Sequence, residues 1–498
     1  MKPREKQLSR RNFIRSVAAA SSAAIIGLDS RARPSITRAQ AQTQPFRDIP
    51  KLDGMLLLDE ASRKAIAVDG SNIFHRIPAA VLKPGSVQDV VEMVGYANRH
   101  ALKVAMKGNG HSTEGQTQAE GGLVIDSRTL SAVHEPTAES VDVEPGAFWG
   151  DVAPPTLAKG LSPRVYLSNC TAVTVGGTLS VGGIGNTSNH YGAQVDNVTQ
   201  LDVVTGDGRL VTCSPDRDSE LFNMVLAGVG QCGIIVRARI PLVPGPSHVM
   251  LHDLIYADLE TYLADHLRIA ADGRFDSQRG AMSRNKNGEW SFSIEVGKFF
   301  SPPDEPNLAS LEQDLRLDSA TAPVRMTYRE YLFRFDAQYA RFLASAASRA
   351  PSAHITMWIP ASVTKEYLAD ILALPPELAG LPRVAESETF SFYPLNTRRF
   401  TRPMFKVPEE DQVFAIWLRR SAPMGDRKAL SAIMASNREL LAKMIAVGGK
   451  RYIPYAGEVM SPEQWAVHFG PDVWRRLSEA KKRFDPNNVL TPGAEMFR

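Results

Sequence analysis

Glycine placement is the feature of this 498-residue chain that most limits what it can fold into. Two stretches leave the backbone nearly bare: MKGNGHSTEGQ at residues 106–116, and TVGGTLSVGGIGNTSNHYG at residues 174–192 with glycines at 176, 177, 182, 183 and 185. Without Cβ atoms a chain takes positive φ and lets its N–H groups come close to another body, so each stretch marks a tight turn or a cradle. Taken alone, the second fits a diphosphate cradle and a set of tight strand turns equally well. The first presents a single histidine, His111, at the end of a short β-like run.

The surroundings read as α+β. Residues 79–112 parse as strand, helix, strand and glycine loop: Val87, Val90, Val91, Val94 and Ala97 recur at helical spacing, and residues 102–106 are short and strand-like. Residues 121–130 and 140–163 continue in that manner, a hairpin turns at Gly206-Asp207-Gly208, and a helix is predicted around residues 220–226. A third glycine run, Gly228-Val229-Gly230-Gln231-Cys232-Gly233, matches G-x-G-x-x-G. In a dinucleotide-binding turn a strand precedes and a helix follows, and here the order is reversed, which excludes nicotinamide binding of that type.

A hydrophobic fraction of 43% over this length allows two domains with substantial cores. A formal net charge of only +3, with acids and bases interspersed, excludes a basic field for nucleic acid. The cysteines Cys170, Cys213 and Cys232 are too few and too scattered for a disulfide framework or a zinc site. Residues 1–42 read as a targeting segment: a basic start, an apolar run at 17–28 too short to span a bilayer, and Ala39-Gln40-Ala41. Within it, Ser9-Arg10-Arg11-Asn12-Phe13-Ile14 resembles the bacterial twin-arginine export signal, so a periplasmic or secreted protein with no stable membrane anchor is expected. The proline-rich joint at residues 241–246 is the expected domain boundary.

Six ordered motifs, KGNGHSTEGQ, TVGGTLSVGGIG, LDVVTGDGRLVTCS, SELFNMVLAGVGQCGIIVRARI, FYPLNTRRF and FDPNNVLTPGAEMF, carry a family resemblance along nearly all of residues 75–498. The chain resembles the FAD-linked oxidoreductases of the vanillyl-alcohol-oxidase type, and within them most closely the cytokinin dehydrogenases. The resemblance implies a two-lobed PCMH-type FAD-binding domain at residues 50–245, interrupted by a substrate domain at 246–448 whose antiparallel sheet is covered by helices. Residues 449–498 would complete the FAD domain. It further implies that His111 matches the histidine bonded covalently to the 8-methyl carbon of the flavin, a nucleophile brought close by the glycine loop. Met106, Gly108, Asn109, Gly110, Ser112 and Gln116 would line the same loop. Thr174, Gly176, Gly177, Ser180 and Ile184 would face the diphosphate, and Ile235 would give a backbone contact.

The resemblance also locates departures. Cytokinin dehydrogenases carry an aspartate shortly before TVGG that accepts a proton from the substrate amine. Here Asn169 aligns with it, or Ser168 if the one-residue insertion is placed differently, and neither is a carboxylate base. Cys170 resembles the cysteine that berberine-bridge-type relatives bond to the flavin C6, which implies a second tether as an alternative. Glu295, similar to the family's YVEG glutamate, and Tyr452, similar to a tyrosine near the flavin, are the candidate replacement bases, the tyrosine only if a cation or the flavin lowers its pKa. His190 and His354 are read as core or surface residues. The expectation is hydride removal from a C–H beside an amine nitrogen of a small molecule, with electrons passing to oxygen or a quinone. The alternatives are a doubly linked oxidase of a sugar or alcohol hydroxyl, and a flavoprotein without turnover.

Overall fold

The computed structural model describes residues 46–284, 289–374 and 388–497; the targeting segment read at residues 1–42 lies outside them. Residues 49–498 form one compact unit. Its first sheet holds the parallel strands Ala80–Lys83, Leu123–Asp126 and Val104–Lys107, with Met55–Leu57 antiparallel on the edge. A parallel pair needs a crossover, and the helix Val87–Arg99 supplies one. Ser86 caps it by accepting from the Asp89 N–H, and the face bearing Val90, Met93, Val94 and Ala97 is buried. The second sheet is antiparallel, in the order Ser140–Val143, Ile234–Pro241, Gln200–Val204, Leu210–Cys213. Its last pair is the hairpin expected at Gly206-Asp207-Gly208.

The third sheet has nine strands among the described residues, all antiparallel pairs, from His248–Tyr256 through Lys450–Ala456. Its period-2 pattern sorts two cores. Met357, Phe392, Phe414, Ile416 and Leu418 pack with Tyr262, Tyr367, Leu440 and Met444 of the covering helices Leu259–Asp272, Thr364–Leu372 and Arg427–Ala446. The alternate residues, Trp358, Tyr393, Ala415 and Tyr452, turn the other way and join the core of the second sheet. The α+β class and the helix-covered antiparallel sheet are therefore both present. One boundary differs from the sequence expectation: Lys450–Ala456 pairs with Ser352–Pro360 and so belongs to the substrate-side sheet, and only the chain beyond it returns to the first sheet, where Leu490 bridges Val104. The strand's alternation is equally suited to either sheet, and pairing across this sequence distance is not encoded locally. Among the described residues no helix is long and apolar enough to cross a membrane.

Candidate functional site

Where the substrate-side sheet faces the two FAD-side sheets, a cleft of about 1480 Å³, including its open mouth, runs between them. The two glycine stretches form its floor. His111 follows the strand Val104–Lys107, whose loop is bound to the facing loop by Asn109 Nδ2 donating to the Ala172 carbonyl at 2.8 Å. The loops pack so closely that a Cβ on Gly108 would strike Thr174 Oγ1, one on Gly176 would lie 2.6 Å from Pro145 Cβ, and Gly110 and Gly183 both sit at φ +74°. Glycine is required here by geometry.

Bare backbone is matched by unpartnered hydroxyls. Thr117 and Thr174 both line the cleft, and their buried Oγ1 atoms have no hydrogen-bond partner. A buried hydroxyl left unpaired is costly, so these groups await a ligand. An extended floor of glycine and small hydroxyl residues, with an aromatic wall opposite, suits a flat ring joined to a diphosphate.

All thirteen non-cysteine residues expected to hold the cofactor line this cleft: Met106, Gly108, Asn109, Gly110, His111, Ser112, Gln116, Thr174, Gly176, Gly177, Ser180, Ile184 and Ile235. Asn169 and Tyr452 line it too. Two other residues are not brought there. Cys170 is fully buried in the core with its Sγ 3.4 Å from the Leu332 carbonyl, and burial raises its thiol pKa to about 12. Neighbouring side chains diverge at this turn, so the Asn169 side takes the cleft and Cys170 the interior, a placement that removes the geometric basis for a second tether. Glu295, on the strand Trp290–Phe300, is ion-paired to Arg334 at 2.8 Å and faces Arg279 at 3.5 Å. Burial works to raise its pKa, but the two guanidinium groups outweigh it and hold the carboxyl below the usual range, so it is a paired anion rather than a base.

Tyr452 is also corrected in role. Its hydroxyl accepts the Gly183 N–H at 3.1 Å, and burial pushes its pKa far up, the opposite of what proton acceptance needs. It serves as wall, in edge contact with Trp358 and Trp417 at ring separations of 5.3 and 5.7 Å. His190 donates its Nε2–H to the Phe275 carbonyl at 2.8 Å, and His354 packs on Tyr455, so both are built into the structure.

Sequence reasoning passed over part of the lining. Val229, Gly230 and Gly233, in the run set aside as a nicotinamide fingerprint, form part of the wall, and Thr491 Oγ1 donates to the Gly230 carbonyl at 2.9 Å. Ser391, Tyr393, Trp417 and Tyr455 complete the aromatic side. The alternation in FSFYPLN and FAIWLRR carried the signal for Tyr393 and Trp417 as one face of a strand, without saying what that face meets. Tyr339 was missed altogether: its hydroxyl lies 3.1 Å from His111 Nε2. Among the described residues no carboxylate lines the cleft.

Fold and cleft together define a PCMH-type FAD-dependent oxidoreductase. Residues 78–214 match the FAD binding domain family, and residues 271–497 match the family described as cytokinin dehydrogenase 1, FAD and cytokinin binding. The chain is 33% identical to an uncharacterized oxidoreductase of the fasciation locus of Rhodococcoides fascians, over 89% of this chain and 99% of that one. It is 32% identical to cytokinin dehydrogenase 7 of Oryza sativa subsp. japonica, over 89% and 91%. In fold it is similar to 6-hydroxy-D-nicotine oxidase of Arthrobacter nicotinovorans, with a TM-score of 0.69 at 22% identity over 89% of this chain and 98% of that one. The chain belongs to the cytokinin dehydrogenase family of FAD-dependent oxidoreductases.

Proposed function

We propose that this protein oxidises a secondary amine carried on a flat heterocycle, in the manner of a cytokinin dehydrogenase, with FAD tethered through His111. The observation that carries the reading is the pairing of floor and wall: His111 and the glycine loops on one side, Tyr393, Trp417, Tyr452 and Tyr455 on the other. An aromatic wall of this kind selects flat, apolar rings. Bound FAD supplies the acceptor for hydride.

The residues present set how protons are handled. Asn169 accepts a hydrogen bond through its side-chain oxygen, or donates one through its NH2, and takes no proton. With no carboxylate among the described residues that line the cleft, the amine enters neutral. Its lone pair then expels the hydride from the adjacent carbon, and the iminium formed sheds its N–H proton to water. Rate follows the substrate's own ionisation rather than that of an enzyme group. The sugar-oxidase alternative loses its main support with Cys170 turned into the core.

Anaerobic mixing with N-alkyl adenines and other secondary amines tests the reading: bleaching of the flavin absorbance is expected, and no bleaching by any of them counts against it. Denaturation in detergent tests the tether, with flavin fluorescence staying on the wild-type chain and released from His111→Ala. Reoxidation rates with dioxygen and with a soluble quinone identify the acceptor. Export by the twin-arginine route belongs to the same proposal, and its check is intracellular retention when Arg10 and Arg11 are both replaced by Lys.

A further inference from the structure

The residue that best explains how His111 becomes a nucleophile comes from the substrate-side half of the chain. Tyr339 lies on the helix Asp336–Ala344, with its hydroxyl 3.1 Å from His111 Nε2 and the two rings inclined by 29°, 6.1 Å between centroids. That helix is docked against the cleft independently. Its first residue, Asp336, accepts from Thr171 Oγ1 at 2.6 Å, beside the Asn169 turn, and the helix before it, Tyr328–Phe333, offers the Leu332 carbonyl to Cys170. The hydroxyl is thus held at the imidazole by contacts at more than one point.

We propose that Tyr339 is the positioning residue for the histidine–flavin bond: its oxygen competes with the Ala172 carbonyl for the single ring N–H of His111 and, by taking it at Nε2, leaves Nδ1 with its lone pair as the bonding nitrogen. The inference rests on the reading that FAD is tethered at His111. In the step, a bond forms between Nδ1 and the 8-methyl carbon of FAD. One C–H of that methyl breaks, its hydrogen leaving as a proton. The imidazole gives up its Nε2 proton to the Tyr339 oxygen, which passes its own on to solvent. The electron pair released goes to the flavin and from there to dioxygen, which leaves as hydrogen peroxide.

The charges around the ring agree with this arrangement. Burial, helped by the Arg419 guanidinium, pulls the His111 pKa down to about 4, so the ring is neutral with a single N–H to place. Tyr339 is held up by burial and stays a phenol, able to accept only by relaying. The other titratable groups facing this pair are His354 on the strand Ser352–Pro360, Tyr455 on Lys450–Ala456 and Arg419 on Gln412–Ser421.

The test is FAD reconstitution of the full-length apoprotein, with covalent flavin read by in-gel fluorescence after denaturation. Tyr339→Phe keeps the ring and loses the hydroxyl. Its linkage rate is expected to fall about tenfold or more, with non-covalent FAD stoichiometry unchanged. A second readout separates proton handling from structure: added phosphate, as an external base, should speed linkage in Y339F and leave the wild type unaffected. Linkage by Y339F at the wild-type rate overturns the role of Tyr339, as does failure of the variant to bind FAD at all, which would mark the residue as structural. Wild-type protein that releases all its flavin on denaturation overturns the tether itself, an outcome distinct from either.

Discussion

Asn169 stands in the cleft where its relatives' pattern calls for an acid, and the side chain next to it, Cys170, is turned away. Restoring the acid is therefore a direct experiment. Asn169→Asp is expected to raise the rate of flavin reduction by a secondary amine at least about a hundredfold, the lower end of the range of about 10²–10⁴ that a positioned base contributes. It should also add a pH dependence at the carboxylate's pKa, visible by stopped-flow absorbance; an unchanged profile would show that residue 169 does not reach the amine. Tyr452 predicts the opposite pattern. Removing its hydroxyl in Tyr452→Phe leaves the Gly183 N–H without an acceptor, at a cost of about 1–3 kcal/mol in urea unfolding, while the pH profile of flavin reduction stays as in the wild type. At this scale the glycines and His111 were legible because chemistry and backbone freedom restrict residue type. The direction of Cys170 was not, since adjacent residues on a turn share a sequence position but not a face.

Among elements, the loop bearing His111 is clamped by the strand Lys450–Ala456 and the residue just after it. Thr113 N–H bonds to the Pro454 carbonyl at 3.2 Å, Gln116 to the Ile453 carbonyl at 3.2 Å, and the Gly457 N–H to Glu114 Oε1 at 3.0 Å. Burial lifts the Glu114 pKa from 4.5 to about 8, against the donors Thr113, Gln116 and Gly457. The folded state therefore holds this proton more tightly than the unfolded one. The stability it contributes is full below pH 4.5 and is lost as pH rises towards 8, at up to about 1.4 kcal/mol per pH unit. Glu114→Gln should flatten that fall, as measured by urea midpoints from about pH 5 to 8.5; an identical slope in the variant would assign the effect elsewhere. The helix Val87–Arg99 and the hairpin at residue 207 could be read from local periodicity and turn chemistry. The clamp could not, because its partners are separated by more than three hundred residues and each strand alone fits several neighbours.

For the whole molecule, a tether changes what cofactor binding does to stability. A ligand bound reversibly stabilises the fold in proportion to the logarithm of its free concentration, and a bonded one does not depend on concentration at all. The melting temperature of the wild type should thus be unchanged on dilution or dialysis, whereas His111→Ala should melt lower as free FAD is removed and recover when it is added back. A wild-type melting point that tracks free FAD would contradict the tether. The two-domain plan followed from the motifs in order along the chain. The exact seam did not, because strand pairing across the substrate-side insertion depends on contacts between distant segments.

Thr491, resting on Gly230 in the cleft wall, has a bearing on biosynthesis. One side of the cleft is built from residues near 106, 176 and 230, and Thr491 closes it from 261 positions beyond Gly230 in the sequence. A chain whose synthesis has not yet passed Thr491 therefore has an incomplete berth. Contacts between segments this far apart in sequence are the slowest kind to form, so the cleft is completed late in folding. For a protein proposed to leave the cell already folded, that places completion of the cleft among the late steps before its departure.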